Sequence, residues 1–543
     1  MFANSSSKFL FPVLILVSAL LCTIGFDPRS ELDYSPVYLW PLPSEYTFGN
    51  DTFSVDPNLS LVAGGSGGSS AIVREAFRRY KGIVFKHISG ISKIKLRGTS
   101  GYDINSLRVI VHSDNETLHL GVDESYSLYI TKNDGRSIIG EAMIEANTVY
   151  GALRGLETFS QLCAFDYGSK SVRVYNAPWF IQDKPRFAYR GLLLDTSRHY
   201  LPVDVIKQII ESMSYAKLNV LHWHIIDEES FPLEIPTYPN LWSGAYTKWE
   251  RFTVEDAYEI VNFAKSRGIN VMAEIDVPGH AESWGIGYPD LWPSPSCREP
   301  LDVSKNFTFD VISGILTELR KIFPFELFHL GGDEVNTGCW SSTPHVKQWL
   351  QDNNQTATAA YQYFVLKAQE IAISKNWTPV NWEETFNTFA AHLNPRTVVH
   401  NWLGAGVCPK AVAKGFRCIF SNQGFWYLDH LDVPWEGVYN AEPLEGINDA
   451  SKQELVLGGE VCMWGETADT SNIQQTIWPR AAAAAERLWS RREAISVGNT
   501  TSRVLPRLHY FRCLLTRRGV QAAPVSNKYA RSPPSGPGSC YDQ

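Results

Sequence analysis

Two neighbouring acids, Asp333 and Glu334, sit in the stretch ELFHLGGDEVNTGCW, behind an apolar run and a glycine pair. Adjacent carboxylates repel each other. A chain that keeps two of them beside aromatic residues, rather than in a charged loop, points to acid–base work or to stabilisation of a developing charge. Where a nucleophile would come from is left open by the stretch itself. Other polar and aromatic residues fall at comparable places: Asp195, Arg198 and His199 in DTSRHY, Asp227 and Glu228 in HWHIIDEESFP, Asp276 and His280 in EIDVPGHAESW. Trp382 and Glu383, Trp402, the WYLDH segment with Tyr427 and Asp429, and the WGE segment with Trp464 and Glu466 continue the series. Taken singly, each has a structural reading. Arg198 can pair with Asp195, and His222 and His224 can be packed strand histidines. HWH also puts two imidazoles on one strand face, the start of a zinc site that lacks a convincing third ligand. The 17 tryptophans and 24 tyrosines would suit sugar-binding walls, although most aromatics simply fill cores.

What positions these residues is a rhythm that starts after Pro185. Eight apolar runs of strand length, RGLLLD, NVLHWHII, INVMAEI, ELFHLGG, WTPVNW, TVVHNWL, RCIFS and LVLGGEVCMW, alternate with helix-length segments. In VEDAYEIVNFAKSRG, Ala257, Ile260, Val261 and Ala264 recur at helical spacing, with Thr253 and Asp256 as a capping box and Gly268 as the stop. This alternation predicts a (β/α)8 TIM barrel, whose site lies at the C-terminal ends of the strands, where the acids, histidines and tryptophans collect. The later crossovers are less regular, and Asp429 to Ala450 reads as a long loop. Ahead of the barrel, strand-like LRVIVHS and YSLYIT and helix-like EANTVYGALRGLETFSQLC predict a small α/β domain. AGGSGGSS reads as a loop, and it lacks the Lys and Ser/Thr of a phosphate cradle. The expected division is a signal peptide over 1–26, an N-terminal α/β domain over 35–180, and a catalytic barrel with a C-terminal tail over 185–543.

At 543 residues, 44% hydrophobic and 20% charged, the composition is that of a globular protein of more than one domain. A net charge of −8 with no basic stripe argues against nucleic acid as the main partner. Lys8 and the apolar run Phe9 to Leu21 read as a signal peptide, and nothing later is long and apolar enough to cross a membrane. Sequons at Asn50, Asn58, Asn115, Asn306, Asn354, Asn376 and Asn499 agree with secretory entry, toward a vacuole, a lysosome or the extracellular space. Eight cysteines remain after Cys22, and their pairing cannot be read from spacing.

RGLLLDTSRHYLP, LNVLHWHIIDEESFP, DVPGHAESW, HLGGDEV and GGEVCMWGE together resemble family 20 β-N-acetylhexosaminidases, above all the lysosomal and vacuolar eukaryotic ones. The resemblance covers nearly the whole chain after the signal. It implies retaining removal of terminal β-linked N-acetylglucosamine or N-acetylgalactosamine by substrate assistance: the 2-acetamido oxygen is the nucleophile, Glu334 the acid and then the base, and Asp333 the carboxylate that orients and stabilises the acetamido group. Asp333 is expected to help keep Glu334 protonated, and strand alternation to send the two acids to different environments. By the same resemblance, Arg198, Asp429 and Glu466 hold sugar hydroxyls, and Asp227 and His280 line the pocket, with His280 supporting Glu334. Trp382, Trp402 and Trp464 form its walls, and Tyr427 donates to the acetamido oxygen. Cys297–Cys339 and Cys513–Cys540 take the places of family disulfides, and Cys163 is left a buried thiol. Relatives that accept sulfated sugars carry Asn-Arg where this chain has Asp429-His430. Oligosaccharides such as N-glycans or chitooligosaccharides are the expected partners, a homodimer is the corresponding assembly, and no cofactor or metal is implied. The alternatives are a family 18-like chitinase, whose DxxDxDxE motif is absent, and a catalytically weak glycan-binding protein on the same fold.

Overall fold

The computed structural model describes residues 37–88, 101–131, 141–495 and 503–526. The expected signal segment, Asn499 and Cys540 lie outside them. The N-terminal layer is a six-stranded mixed sheet of β1 (Glu45–Gly64), β2 (Ile104–Val111), β3 (Tyr126–Ile130), β4 (Glu141–Ala146), β5 (Cys163–Asp166) and β6 (Ser171–Asp183), ordered β1-β2-β4-β3-β6-β5, with β1 also meeting β6. Two helices accompany it, α1 (Ala71–Val84) and α2 (Val149–Leu162). LRVIVHS and YSLYIT supply β2 and β3 as expected. The helix-like EANTV… segment is shorter than its pattern suggested. Glu145 and Ala146 finish β4, and Thr148 then caps α2 by accepting from Gly151 N at 3.2 Å. The Gly/Ser stretch is a loop only between Gly64, which ends β1, and Ser70, which caps α1. Every residue of α2 from Val149 to Gln161 is buried, as expected of a helix covered on all sides. Gly155 allows the close approach, since a Cβ there would stand 2.6 Å from Ile144 Cγ2.

All eight barrel runs form strands: β7 (Tyr189–Asp195), β8 (Val220–Ile226), β9 (Asn270–Ile275), β10 (Leu327–His329), β11 (Thr378–Trp382), β12 (Val398–His400), β13 (Arg417–Phe420) and β14 (Val456–Met463). They pair in parallel, and β14 closes on β7 from Gly458↔Tyr189 to Met463↔Leu194. Helices α3 (Val203–Tyr215), α4 (Val254–Lys265), α5 (Asn306–Ile322) and α6 (Ala357–Ser374) cover the first half. The capping box of α4 is present: Thr253 Oγ1 accepts from Asp256 N at 3.1 Å, and Asp256 Oδ2 accepts from Thr253 N at 2.8 Å. Gly268 follows with φ +68°. The region from Asp429 to Ala450 is less open than a plain loop, because Trp435–Asn440 is helical and packs on the final barrel helix, α7 (Arg480–Trp489).

Inside the barrel, alternate residues of the strands stack in layers. The lowest is apolar, with Tyr189, Val220, Met272, Leu327, Val380, Val398 and Ile419. One step up the layer turns polar, with His222, Glu274, His329, His400 and Glu460, all fully buried. Above it Trp382, Tyr427 and Cys462 cluster with Leu193, Trp402 and Trp464. Cysteine pairing gives Cys297–Cys339, as the resemblance implied, and also Cys408–Cys418, which pins the short helix after β12 to β13. Cys513 is disulfide-bonded, while Cys163, half-buried, and Cys462, buried, are free thiols.

Among the described residues from Tyr38 onward, the N-terminal layer and the barrel form one compact unit. Its seam is ionic. Buried Glu124 receives Arg154 of α2 and Arg190 of β7, each at 2.7 Å, and Arg154 also donates to the Gly268 carbonyl at 2.9 Å. Lys217 reaches Asp183 and the Tyr126 hydroxyl, both at 2.9 Å. Burial alone would raise the Glu124 pKa, and the two arginines reverse that. Removing one partner of such a cluster leaves uncompensated buried charge. We expect Glu124→Gln to lower unfolding free energy by about 3–5 kcal/mol, whereas Glu45→Gln, which breaks the exposed pair with Arg491, costs below about 1 kcal/mol. Denaturant midpoints that coincide for the two variants would disprove the difference.

Candidate active site

The two acids are not on a strand. β10 ends at His329, and a turn follows in which Gly331, Gly332 and Glu334 all have positive φ, at +61°, +97° and +50°. Strand alternation is therefore not what separates the carboxylates. The left-handed turn does so, and it swings Glu334 outward while Asp333 points down into the barrel mouth. Their side chains are 60% and 12% exposed. Gly331 is required by close approach as well as by its φ, since a Cβ there would sit 1.9 Å from Asp276 Oδ1. Three contacts clamp the turn from outside. Asn381 Nδ2 donates to the Gly331 carbonyl at 2.9 Å, Gly332 N donates to Asp276 Oδ1 at 2.8 Å, and the Tyr361 hydroxyl donates to the Gly332 carbonyl. A non-glycine residue held at positive φ is strained, and here the clamps hold the strain at the acid itself.

His280, also at positive φ (+53°), joins the acids. Its Nδ1 lies 3.0 Å from Asp227 Oδ1, and its Nε2 lies 3.5 Å from Glu334 Oε2 and 3.7 Å from Asp333 Oδ2. Burial would lower the imidazole's pKa, but Asp276, Asp333 and the bond to Asp227 outweigh it and hold His280 well above the usual histidine range. The hydrogen bond from His280 is the main influence on Glu334 and lowers its pKa. This overturns the expectation that Asp333 keeps Glu334 protonated in the free protein: the nearest charge to the exposed carboxyl is the imidazolium. Burial, then the Asp333 charge, push the Asp276 pKa upward.

Arg198 is ringed by acids, with Asp227 at 2.7 Å, Asp195 and Glu229 at 3.0 Å and the rim residue Glu466 at 3.9 Å, and its guanidinium lies over the Trp464 ring at 5.3 Å. Opposite stand the aromatic walls. Trp402 stacks on Tyr427 at 6.2 Å and 11°, Tyr427 meets Trp464 at 6.1 Å, and Trp464 meets Trp382 at 5.9 Å. Tyr427 reaches the site because it bridges to Cys462, extending the sheet beside β14. Arg480 then ties down the next turns by donating to the carbonyls of Leu428 and, at 2.8 Å, His430. Asp429 sits in this tied loop, its Oδ2 3.7 Å from His430. Asp333 Oδ1, Asp429 Oδ1 and Trp464 Nε1 are buried polar atoms with no hydrogen-bond partner. All three belong to residues of this group at the barrel mouth.

The eleven residues expected from the sequence to catalyse or bind sugar are thus linked by one series of contacts at the barrel mouth, Asp429 through His430. Each nitrogen of His224 faces a carboxylate, Nδ1 to Glu274 and Nε2 to Asp227. Asp276 stood among the strand-end acids without a role. Glu384 was missed, and it accepts from Trp402 Nε1 at 2.8 Å. Its signal was present in the doubled acid of WEE after β11. Glu274 and Glu460 were missed as well, since both are strand residues whose partners come from across the barrel.

Residues 187–492 match the family described as Glycosyl hydrolase family 20, catalytic domain, and residues 39–162 match one described as beta-acetyl hexosaminidase like. The chain is 72% identical over 538 residues to Beta-hexosaminidase 1 of Arabidopsis thaliana, covering 98% of this chain and 99% of that protein. It is 54% identical to Beta-hexosaminidase 3 of the same plant, covering 94% and 95%. Among solved structures, the chitobiase of Flavobacterium johnsoniae aligns with a TM-score of 0.76 at 28% identity, over 89% of this chain and 73% of that one.

Burial, and then the Asp333 charge, push Glu384 up to about 8 from 4.5. Between these values the folded protein keeps a proton that the unfolded chain has released, so this group's contribution to stability is present below pH 4.5 and is lost as pH rises toward 8. We expect Glu384→Gln to gain on the wild type in melting temperature as pH is raised through that window. A wild-type-minus-variant difference that does not change with pH would refute it.

Proposed function

The chain belongs to glycosyl hydrolase family 20 and is a β-hexosaminidase-type glycosidase, and on that premise we propose that it removes terminal non-reducing β-linked N-acetylglucosamine or N-acetylgalactosamine without a protein nucleophile. The carrying observation is that Asp333, buried with a free oxygen, and Glu334, exposed on His280, occupy different environments at one aromatic-walled pocket. In this reading the sugar lies between Trp464 and Trp402, with its acetamido group against Trp382 and Tyr427. Asp333 accepts the acetamido N–H, the Tyr427 hydroxyl donates to the acetamido oxygen, and that oxygen attacks the anomeric carbon. Glu334 gives its proton to the departing oxygen and then takes one from water, so configuration is retained. Arg198, Asp429 and Glu466 receive the outer hydroxyls, and Asp227 acts through His280. Glu334 is acidic in the open pocket. A bound sugar covers its exposed carboxyl, and exclusion of water then favours the protonated form the step needs.

Passage through the secretory pathway belongs to the same proposal. Asn50, Asn58, Asn115, Asn306, Asn354 and Asn376 are all exposed, and Cys297–Cys339 and Cys408–Cys418 suit an oxidising compartment. Among the described residues no helix is long and apolar enough to cross a membrane. Oligosaccharides with terminal N-acetylhexosamine are the proposed substrates.

The test of the missing nucleophile is kcat/KM for substrates carrying mono-, di- and trifluoroacetyl in place of acetyl. Each fluorine weakens the attacking oxygen, so the values should fall steeply along the series. A shallow series with a glycosyl adduct on any Asp or Glu would overturn the mechanism.

Asp429 governs a second outcome. Burial lifts its pKa to about 6, and Arg480, the nearby cation, spends donors on backbone carbonyls. A sugar 6-sulfate should therefore meet an uncompensated negative charge above about pH 6. We expect 6-sulfated substrates to be cleaved poorly against neutral ones above that pH, and the gap to narrow below it as Asp429 takes a proton. Equal efficiency on both at pH 7 would exclude this role.

A further inference from the structure

The polar layer under the pocket contains a residue to which the mechanism above gives no task. Glu274, on β9, is fully buried and faces into the barrel. Its Oε1 lies 2.7 Å from His329 Nδ1 and accepts from the Trp382 indole N–H at 3.1 Å. Its Oε2 lies 2.5 Å from His224 Nδ1 and 3.0 Å from His222 Nε2. One carboxylate thus gathers side chains from β8, β10 and β11. Two of its contacts lead upward. Trp382 is a wall of the pocket. His224 passes its other nitrogen to Asp227 Oδ2 at 2.7 Å, Asp227 Oδ1 faces His280 Nδ1 at 3.0 Å, and His280 Nε2 reaches Glu334 at 3.5 Å.

A plain packing role explains this poorly. The layer directly below is apolar and closes the same barrel without any charge, and well-packed apolar side chains usually serve stability as well as or better than buried ions. What an apolar residue at 274 could not do is fix the imidazole of His224 and the indole of Trp382 at the same time. Carboxylate–imidazole contacts set the ring plane and decide which nitrogen carries the proton.

We propose that Glu274 is the positioning residue of the site: through His224, Asp227 and His280 it orients the acid Glu334, and through the Trp382 indole it sets the acetamido wall. The inference rests on the reading of Glu334 as the acid. It divides into two arms with different kinetic signatures. Disorder in the acid arm weakens proton donation, which matters for poor leaving groups and little for good ones. Disorder in the wall arm weakens binding of the acetamido sugar whatever the leaving group.

The experiment measures kcat/KM on N-acetylglucosaminides with poor (alkyl) and good (dinitrophenyl) leaving groups, and the affinity for a thiazoline that mimics the cyclised acetamido sugar. The variants are Glu274→Gln, His224→Gln and Glu334→Gln. His224→Gln leaves Glu274 with three contacts, from His222, His329 and Trp382, and carries the test should Glu274→Gln fail to fold. It should lose about a hundredfold on the alkyl substrate, less than about tenfold on the dinitrophenyl one, and little thiazoline affinity. Glu274→Gln should show the same leaving-group split and in addition weaker thiazoline binding. If His224→Gln loses both substrates by one factor while Glu334→Gln separates them, the positioning role is wrong and the acid assignment stands. If Glu334→Gln itself fails to separate them, the acid assignment falls and takes this inference with it.

Discussion

Eight parallel strands closed into a barrel impose one constraint on everything inside: every second residue faces inward, and any polar group there must be satisfied by another strand. The isolated cost of burying a carboxylate is several kcal/mol even after relaxation, so Glu274 and Glu460 are tolerable only as members of a set. Glu460 takes His222 Nδ1 at 2.8 Å and the Tyr189 hydroxyl at 2.5 Å, and Glu274 takes the contacts from β8, β10 and β11. Burial would lower the pKa of His222 and His224, but the glutamates outweigh it and push them up to about 9 and about 10. His329 and His400 are lowered instead, chiefly by burial. Two carboxylates thus face two imidazolium rings and two neutral ones, a balance that lets the layer exist without solvent. The aromatic walls and the acids stand on this floor.

At the barrel mouth the constraint changes from pairing to direction. The same strand periodicity that fills the core cannot send Asp333 and Glu334 apart, because β10 has already ended. Separation comes from a turn with three positive φ values in four residues, at Gly331, Gly332 and Glu334, and the contacts from Asn381, Asp276 and Tyr361 hold it. Left-handed backbone at a non-glycine residue costs of order 1–3 kcal/mol, and the barrel below supplies the rigidity against which that strain can be kept. Asp276 links the two levels. It follows the end of β9 directly, two residues after Glu274, its pKa raised by burial and the Asp333 charge, and its Oδ1 accepts from Gly332 N.

The division between what could be read in advance and what could not follows from these two levels. The eight strands, the capped helix after Thr253 and the polar residues at strand ends were legible because hydrophobic period and caps are local. His222 and His224 were also legible as packed strand histidines, and they are packed. Their partners were not. His224 meets Glu274 from 50 residues away and His222 meets Glu460 from 238, and periodicity gives a side chain's face without naming what lies across the barrel. The same limit hid Cys408–Cys418, a pairing across a helix-to-strand return that spacing left open, and the bond from Trp402 to Glu384. The environment of the two acids was misjudged for a different reason. Alternation was extended past the end of a strand, where glycine torsions decide direction.

Among the described residues the matching is incomplete in the layer itself, where His222 Nε2 and His400 Nε2 have no hydrogen-bond partner, and again at the barrel mouth. Asp333 Oδ1, Asp429 Oδ1 and Trp464 Nε1 lie buried without hydrogen-bond partners, whereas the glutamates of the layer below are surrounded by theirs. Each unsatisfied buried group forgoes about 1–3 kcal/mol. The two unpaired acceptors and one unpaired donor suit a sugar that offers N–H and O–H groups together with an acceptor, flanked by rings for its apolar face. In the proposed reading, binding completes the polar network that folding began and covers Glu334, whose pKa His280 holds down in the open site. On that proposal recognition and protonation are one physical event, the exclusion of water from the mouth of the barrel.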